Sequence, residues 1–172
     1  IWIIGFCTLL MNLSSVMIFS LTPLYLTQVF EIAAFHLGIL EGAVEFCSWM
    51  TRMFSGVLSD FIHRRKPVLA FAYLLAFLSR PLFAFAPSIV WIYAAKLTDR
   101  IANGIQATPR EALVGDLAPP KMRGTCYGLR QSLGLIGSIC GAIVVIGLMH
   151  LTEKNYSLIF LIAGIPSFFA LL

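Results

Sequence analysis

Residues 56–67 read Gly-Val-Leu-Ser-Asp-Phe-Ile-His-Arg-Arg-Lys-Pro, a short charged segment between two long apolar ones. Three consecutive basic residues at such a boundary mark the cytoplasmic side of a membrane, by the positive-inside rule. Gly56 leaves room for another helix to approach closely. Asp60 lies at a helix end, where a carboxylate can pair with a cation or with the positive end of a helix dipole. The segment is typical of a membrane boundary, and a simple topogenic turn would also explain its charges.

The composition places the chain among integral membrane proteins. Of its 172 residues, 59% are hydrophobic and 12% are charged, and the mean hydropathy is +0.91. Soluble domains carry about 25% charged residues. The four cysteines have no paired spacing, so neither a disulfide framework nor a zinc site is expected, and no cofactor is implied. The net charge of +4 is attributed to membrane topology and gives no reason to expect nucleic acid as a partner.

The apolar residues form six segments, which is what about six spans of roughly 20 residues require. They cover approximately 1–30, 34–59, 67–86, 88–108, 124–150 and 156–172. Thr108 before Pro109, with Glu111 following, is a helix-start signal and predicts a separate short helix after the fourth segment. Basic residues follow segments two and four, which predicts that both ends are cytoplasmic. Both ends lie inside apolar runs, so we expect the natural chain to be longer.

The second segment carries its polar residues on one helical face. At 100° per residue this face contains Gly38, Glu41, Glu45, Ser48, Arg52, Gly56 and Ser59. Each charge costs about 2.5–3.5 kcal/mol near the membrane centre, so the face is expected to meet protein or water. Two interpretations are open: a structural ion-pair network, or a pathway for substrate or protons.

The fourth segment has a similar cluster of charged and polar residues. Lys96, Asp99, Asn103 and Arg110 share one face, and Arg100 lies beside it. Arg100 is about 18 Å from the start of the span at 1.5 Å per residue, close to the bilayer midplane, where an arginine indicates a functional site. Arg80, near the outer end of the third segment, is expected to extend to the interface.

Two motifs in these segments resemble one family of transporters. Gly56, Leu58, Asp60, Arg64 and Arg65 resemble the loop between the second and third helices of the major facilitator superfamily, although Phe61 and His63 replace a usual basic residue and glycine. A longer pattern resembles a large set of prokaryotic members of that family; it comprises Asp99, Arg100, Gly104, Pro109, Arg110, Asp116, Arg123, Gly124, Gly128 and Arg130.

The resemblance implies an all-α, polytopic membrane protein. Its six transmembrane helices would form two three-helix inverted repeats, residues 1–86 and 87–172, and together make one half of a twelve-helix fold. The carboxy-terminal half is absent from this sequence and would be a partner, with the lipid bilayer and a small-molecule substrate. The implied location is a prokaryotic plasma (inner) membrane. The implied activity is secondary transport by alternating access, coupled to protons.

The resemblance and the charge pattern together suggest roles for particular residues. Candidates for substrate or proton coupling are Glu41, Glu45, Arg52, Lys96, Asp99 and Arg100. Glu45 with Arg52 or Arg100, and Asp99 with Lys96, are the candidate ion pairs. Candidates for a cytoplasmic gate are Gly56, Asp60, Arg64, Arg65, Arg110, Asp116, Arg123 and Arg130. Helix packing is assigned to Gly104, Gly128, Gly137 and Gly141.

The function class has one alternative. No enzyme signature is present, so catalysis is not expected. The excess of cations in the spans favours an anionic solute, such as an organic acid or a phosphorylated metabolite. The start of an antiporter glycine motif is present, but its continuation is replaced by Ala142 and Ile143, so antiport does not follow. A non-transporting membrane subunit, packed on other proteins through its glycine faces, remains the alternative.

Overall fold

The computed structural model describes residues 1–62, 65–86, 88–152 and 155–171. Within these ranges the chain forms six α-helices: α1 (Trp2–Val29), α2 (Ala34–Ile62), α3 (Arg65–Ala84), α4 (Ile89–Leu117), α5 (Arg123–Leu151) and α6 (Tyr156–Leu171). A short 3-10 helix, Pro120–Met122, connects α4 to α5. The predicted all-α fold is therefore confirmed.

Helix α4 continues through the position where the sequence predicted a new helix. Pro109 lies inside this 29-residue helix and is buried. A proline removes one backbone hydrogen bond, but in a helix bundle neighbouring groups compensate for such a loss. The hydroxyl of Thr108 donates to the backbone oxygen of Arg52 on α2, at 3.0 Å. The predicted helix start was wrong, and Arg100 and Arg110 belong to one continuous helix.

The helices pack in a pattern that treats the two halves of the chain alike. Helix α1 packs on α5 and α6, helix α4 packs on α2 and α3, and α3 packs on α6. Exchanging α1 with α4, α2 with α5 and α3 with α6 leaves this set of pairs unchanged. Such a set is expected of two equivalent three-helix units, and their relation as inverted repeats stays a prediction.

The core is apolar, and so is much of the outer surface. The largest buried cluster includes Met17, Leu21, Phe83 and Phe160. Large apolar side chains such as Phe54 are exposed, as expected where lipid replaces water. Among the described residues, three helical stretches are long and apolar enough to span a membrane: Trp2–Val29, Arg65–Ala84 and Pro120–Leu151. Helix α6 is apolar but shorter, and α2 and α4 carry more charged residues than the other helices.

Candidate functional site

A polar cavity of about 370 Å³ lies between α1, α2, α4 and α5. Its lining is Asn12, Ser15, Val16, Phe19, Glu45, Ser48, Trp49, Arg52, Arg100, Asn103, Gln106, Arg110 and Ser138. These residues come from both halves of the chain. The cavity is therefore assembled by the packing of α1 and α5 beside α2 and α4.

The Glu45–Arg100 ion pair forms part of the cavity wall. The Arg100 Nη1 atom lies 3.2 Å from the Glu45 Oε1 atom. The ring of Phe19 faces the same guanidinium, with its centroid 4.8 Å from the Arg100 Cζ atom. The Ser48 hydroxyl donates to the backbone oxygen of Arg100 at 3.1 Å. The predicted pairing of Glu45 with Arg100 is confirmed, and the pair remains partly exposed.

A second ion pair lies one turn away on the same two helices. The Lys96 ammonium group pairs with the Glu41 carboxylate. Lys96 is only 2% exposed, and its Nζ atom is 5.9 Å from the centroid of Phe19. Phe19 therefore lies against the cations of both pairs. The polar face of α2 predicted from the sequence packs against α4. Its two carboxylates, Glu41 and Glu45, form ion pairs with cations of that helix.

Gly104 allows α2 and α4 to approach closely enough for these pairs to form. A Cβ atom on Gly104 would lie 2.8 Å from the Ser48 backbone oxygen and 2.9 Å from the Thr51 Cβ atom. Both distances are shorter than side chains normally adopt, so the glycine is required by the close approach. Since Gly104 follows Arg100 by one turn, it fixes the interhelical spacing at the cavity.

Asp99 points away from the cavity and pairs with Arg80 of α3. Their Oδ1 and Nη1 atoms are 2.6 Å apart, and the two side chains are 3% and 1% exposed. The expected pair of Asp99 with Lys96 was wrong, and so was the expectation that Arg80 extends to the interface. Both predictions used positions along single helices, whereas the packing of α3 on α4 decides which side chains meet.

A short chain of hydrogen bonds links this buried pair to the cavity. The Asn103 amide donates to the Asp99 Oδ2 atom at 3.2 Å, and the Gln106 amide donates to the Asn103 Oδ1 atom at 2.6 Å. Gln106 was not among the predicted site residues, and neither were Asn12 and Ser15. The signal that could have found them is a polar residue inside an otherwise apolar span.

Comparison with known proteins identifies the family. The model of the Major Facilitator Superfamily matches residues 4–172. The chain belongs to this superfamily. An uncharacterized MFS-type transporter of Methanocaldococcus jannaschii is 25% identical over 172 residues, which is all of this chain and 43% of that protein. The niacin transporter of Acinetobacter baylyi is 29% identical over 117 residues, which is 68% of this chain and 26% of that protein.

Solved structures of the superfamily share the fold of this chain. A peptide transporter matches with a TM-score of 0.86 at 15% identity, over 99% of this chain and 36% of its own. A D-xylose–proton symporter matches with a TM-score of 0.76 at 16% identity, over 99% of this chain and 46% of its own. The chain thus spans less than half the length of these superfamily members. It forms half of an MFS fold and is an integral membrane protein.

The described members of the predicted gate make several separate contacts. Arg65 pairs with Asp116 at 3.0 Å, and Arg130 pairs with Glu111 at 2.6 Å. Gly56 packs against Thr108 of α4. Arg110 lines the cavity, and Arg123 is exposed at the start of α5. The side chain of Asp60 and all of Arg64 lie outside what the structure describes, so the gate stays a prediction.

The glycines predicted to pack helices divide into two groups. Cβ atoms on Gly137 and Gly141 would collide with the backbone of α1 at Leu9 and Leu13, as Gly104 would with α2. Gly128 has no neighbour within 4 Å of such an atom among the described residues, so its packing role stays a prediction. In the part of the chain that the structure describes, no three His, Cys, Asp or Glu side chains lie close enough together to hold a metal ion.

Proposed function

We propose that the protein carrying this chain is a secondary active transporter, not an enzyme, that moves a small solute by alternating access. The observation that carries the proposal is the Glu45–Arg100 ion pair in the wall of a polar cavity within an apolar helix bundle. Ionisable residues at such a position are costly and mark pathways for substrates or ions. The named functions of the niacin transporter and the D-xylose–proton symporter support the same class.

Proton coupling would act through the carboxylates that face α4. Protonation of Glu45 would remove its charge and release Arg100. The carboxylate of Glu45 would therefore bind either a proton or the guanidinium of Arg100. The Glu41–Lys96 pair, one turn away, would respond in the same way and shares Phe19 with the first pair. Arg52 lines the cavity beside them. Asp99 has a structural role in this proposal and not a role in proton coupling, because its pair with Arg80 is enclosed.

Alternating access requires a second six-helix half, which we propose as the partner of this one. Residues 1–86 and 87–172 would be its two inverted repeats, consistent with the symmetric set of helix contacts. The basic residues between α2 and α3 and before α5 would lie in the cytoplasm of a prokaryotic cell. The two halves would then rock about a cavity that each of them lines in part.

The test is flux through the full-length protein in proteoliposomes, with radiolabelled organic anions and cations and with or without a pH gradient. Glu45→Gln and Arg100→Ala should each abolish gradient-dependent flux. Glu31→Gln is the matched control, because Glu31 is exposed between α1 and α2. Flux that survives both cavity substitutions contradicts the assigned site. Absence of flux in the wild-type protein for every compound would favour the non-transporting subunit.

A further inference from the structure

The cavity contains more positive than negative charge. Three arginines line it, Arg52, Arg100 and Arg110, and Glu45 is their only acidic neighbour among the described lining residues. Glu45 is already paired with Arg100. Within the described part of the chain, neither Arg52 nor Arg110 forms a salt bridge. Two positive charges of the cavity are therefore left without an anion.

Arg110 differs from the other enclosed arginines. Arg80, Arg100 and Arg130 each have a carboxylate partner, and in each of them Nε is the one enclosed nitrogen without a hydrogen-bond partner among the described residues. In Arg110 both Nε and Nη1 are enclosed and lack a hydrogen-bond partner. The residue is half-buried, and the hydroxyl of Tyr73 lies near its guanidinium but brings no negative charge. Guanidinium nitrogens that are enclosed without an acceptor are unfavourable, because they have lost water. An anion in the cavity would supply the missing acceptors.

Arg52 is an exposed residue near the same end of the cavity, with its guanidinium beside an aromatic ring. Its Cζ atom lies 4.9 Å from the ring centroid of Trp49, which also lines the cavity. The Thr108 hydroxyl ties the backbone of Arg52 to α4 two residues before Arg110. Along α2 and α4, Arg52 and Arg110 lie about 10 to 15 Å beyond Glu45 and Arg100, at 1.5 Å per residue. The two unpaired cations thus lie apart from the ion pair.

A neutral acceptor accompanies these cations. Gln106 is 2% exposed and precedes Arg110 by one turn of α4. Its Nε2 atom donates to Asn103, but its Oε1 atom is enclosed and has no partner. This oxygen can accept a hydrogen bond from a hydroxyl or amine of a ligand. The site therefore offers cations for an oxyanion and one acceptor for a donor group.

We propose that Arg52 and Arg110 form an anion subsite, separate from Glu45 and Arg100, that binds a carboxylate or phosphate group of the transported solute. The proposal rests on the transport function proposed above and names its substrate class: a small organic anion with a hydroxyl or amine next to the anionic group. A cavity of about 370 Å³ suits a small solute. Guanidinium groups bind carboxylate and phosphate through paired charge-assisted hydrogen bonds.

The experiment measures binding by calorimetry in the purified full-length protein, in maltoside micelles without added lipid. The probes are inorganic phosphate, succinate and lactate, with tetramethylammonium as the cationic probe. We expect saturable binding of at least one anion, weakened about tenfold or more by Arg52→Gln and by Arg110→Gln, as expected for charge-assisted hydrogen bonds. Arg110→Lys should weaken binding less than Arg110→Gln, because it keeps the charge and loses only the paired hydrogen bonds, and this separates loss of charge from misfolding. Lys121→Gln removes one positive charge at an exposed position outside the cavity and is the matched control.

Several outcomes would overturn the subsite. These are binding of tetramethylammonium in place of the anions, equal affinities in the Arg110→Gln and control variants, or no saturable binding of any anion at millimolar concentration. The last result would mean that the second half supplies carboxylates to Arg52 and Arg110. Displacement of phosphate by added phosphatidylglycerol would assign the site to a lipid headgroup and would also contradict a solute subsite. Each result leaves the transport proposal to be judged by its own flux assay.

Discussion

Asp99 and Arg100 are neighbours in the sequence, yet they lie in two different regions of the molecule. Asp99 faces α3, where its pair with Arg80 is closed to solvent on both sides, at 3% and 1% exposure. Arg100 faces α2, where its pair with Glu45 is 17% and 41% exposed and borders the cavity. Successive residues of a helix point about 100° apart, so one turn of α4 serves both environments.

The difference in exposure indicates that the Arg80–Asp99 pair is structural and that the Glu45–Arg100 pair can open. Breaking an enclosed pair leaves a charge without water or partner, which opposes any movement of α3 against α4. Breaking the cavity pair exposes its groups to water, so the cost is small. We infer that the Arg80–Asp99 pair keeps the helix bundle together, while the Glu45–Arg100 pair changes partners during transport.

The largest expected effect is on stability at the enclosed pair. Asp99→Asn should lower the free energy of unfolding by about 3–5 kcal/mol, because Arg80 is left buried without its anion. Denaturant titration of the purified protein measures the change. The double variant Arg80→Met with Asp99→Leu should recover most of the loss, since it removes both charges. An Asp99→Asn protein as stable as the wild type would contradict the structural role.

The next effect tests the spacing that brings α2 to Arg100. Gly104→Val should destabilise the protein by about 1–3 kcal/mol, because its side chain would meet the Ser48 backbone oxygen and Thr51. It should also impair transport by separating Glu45 from Arg100, while the Arg80–Asp99 pair persists. Gly128→Val is the control, because a Cβ atom there has no neighbour within 4 Å among the described residues. Equal effects of the two substitutions would show that close packing at Gly104 does not matter.

A smaller effect on stability is expected at the cavity pair itself. Glu45→Gln should change the free energy of unfolding by about 1 kcal/mol or less, since both groups can be solvated. The same denaturant titration measures it, and the loss of coupled flux should be complete. Asp99→Asn should therefore mainly reduce stability, whereas Glu45→Gln should mainly reduce transport activity. A loss of stability as large as that of Asp99→Asn would place both pairs in the same class.

The smallest effect is expected where an ion pair lies at the protein surface. Asp116, which is 56% exposed, pairs with Arg65 at 3.0 Å. Asp116→Asn should change the free energy of unfolding by only about 0.2–0.5 kcal/mol, as is usual for exposed pairs. Thermal melting at low and high salt measures it, and the effect should decrease further with salt. A salt-independent loss above 1 kcal/mol would indicate that the pair is enclosed in the assembled protein.

Much of the fold and part of the site could be predicted from single helices. The apolar segments predicted the six helices. The polar face of α2 was expected to meet protein or water, and its Glu41 and Glu45 meet cations of α4. Predictions that needed to know the neighbouring helix were wrong for Arg80 and for the Asp99–Lys96 pair. Pro109 was misread because a local helix-start signal does not report the contacts that keep a helix continuous.

The sequence by itself determined the membrane environment, the helix count and the family, because hydropathy, periodicity and motifs are local properties of the chain. The tertiary structure alone decided which charges meet. Asp99 and Lys96 lie within one turn on α4, but α3 and α2 pack on different sides of that helix. Asp99 therefore pairs with a residue of α3, and Lys96 pairs with a residue of α2. The same packing enclosed Arg110 beside the cavity without an anion, since partners across a bundle are set by helix contacts and not by distance along the chain.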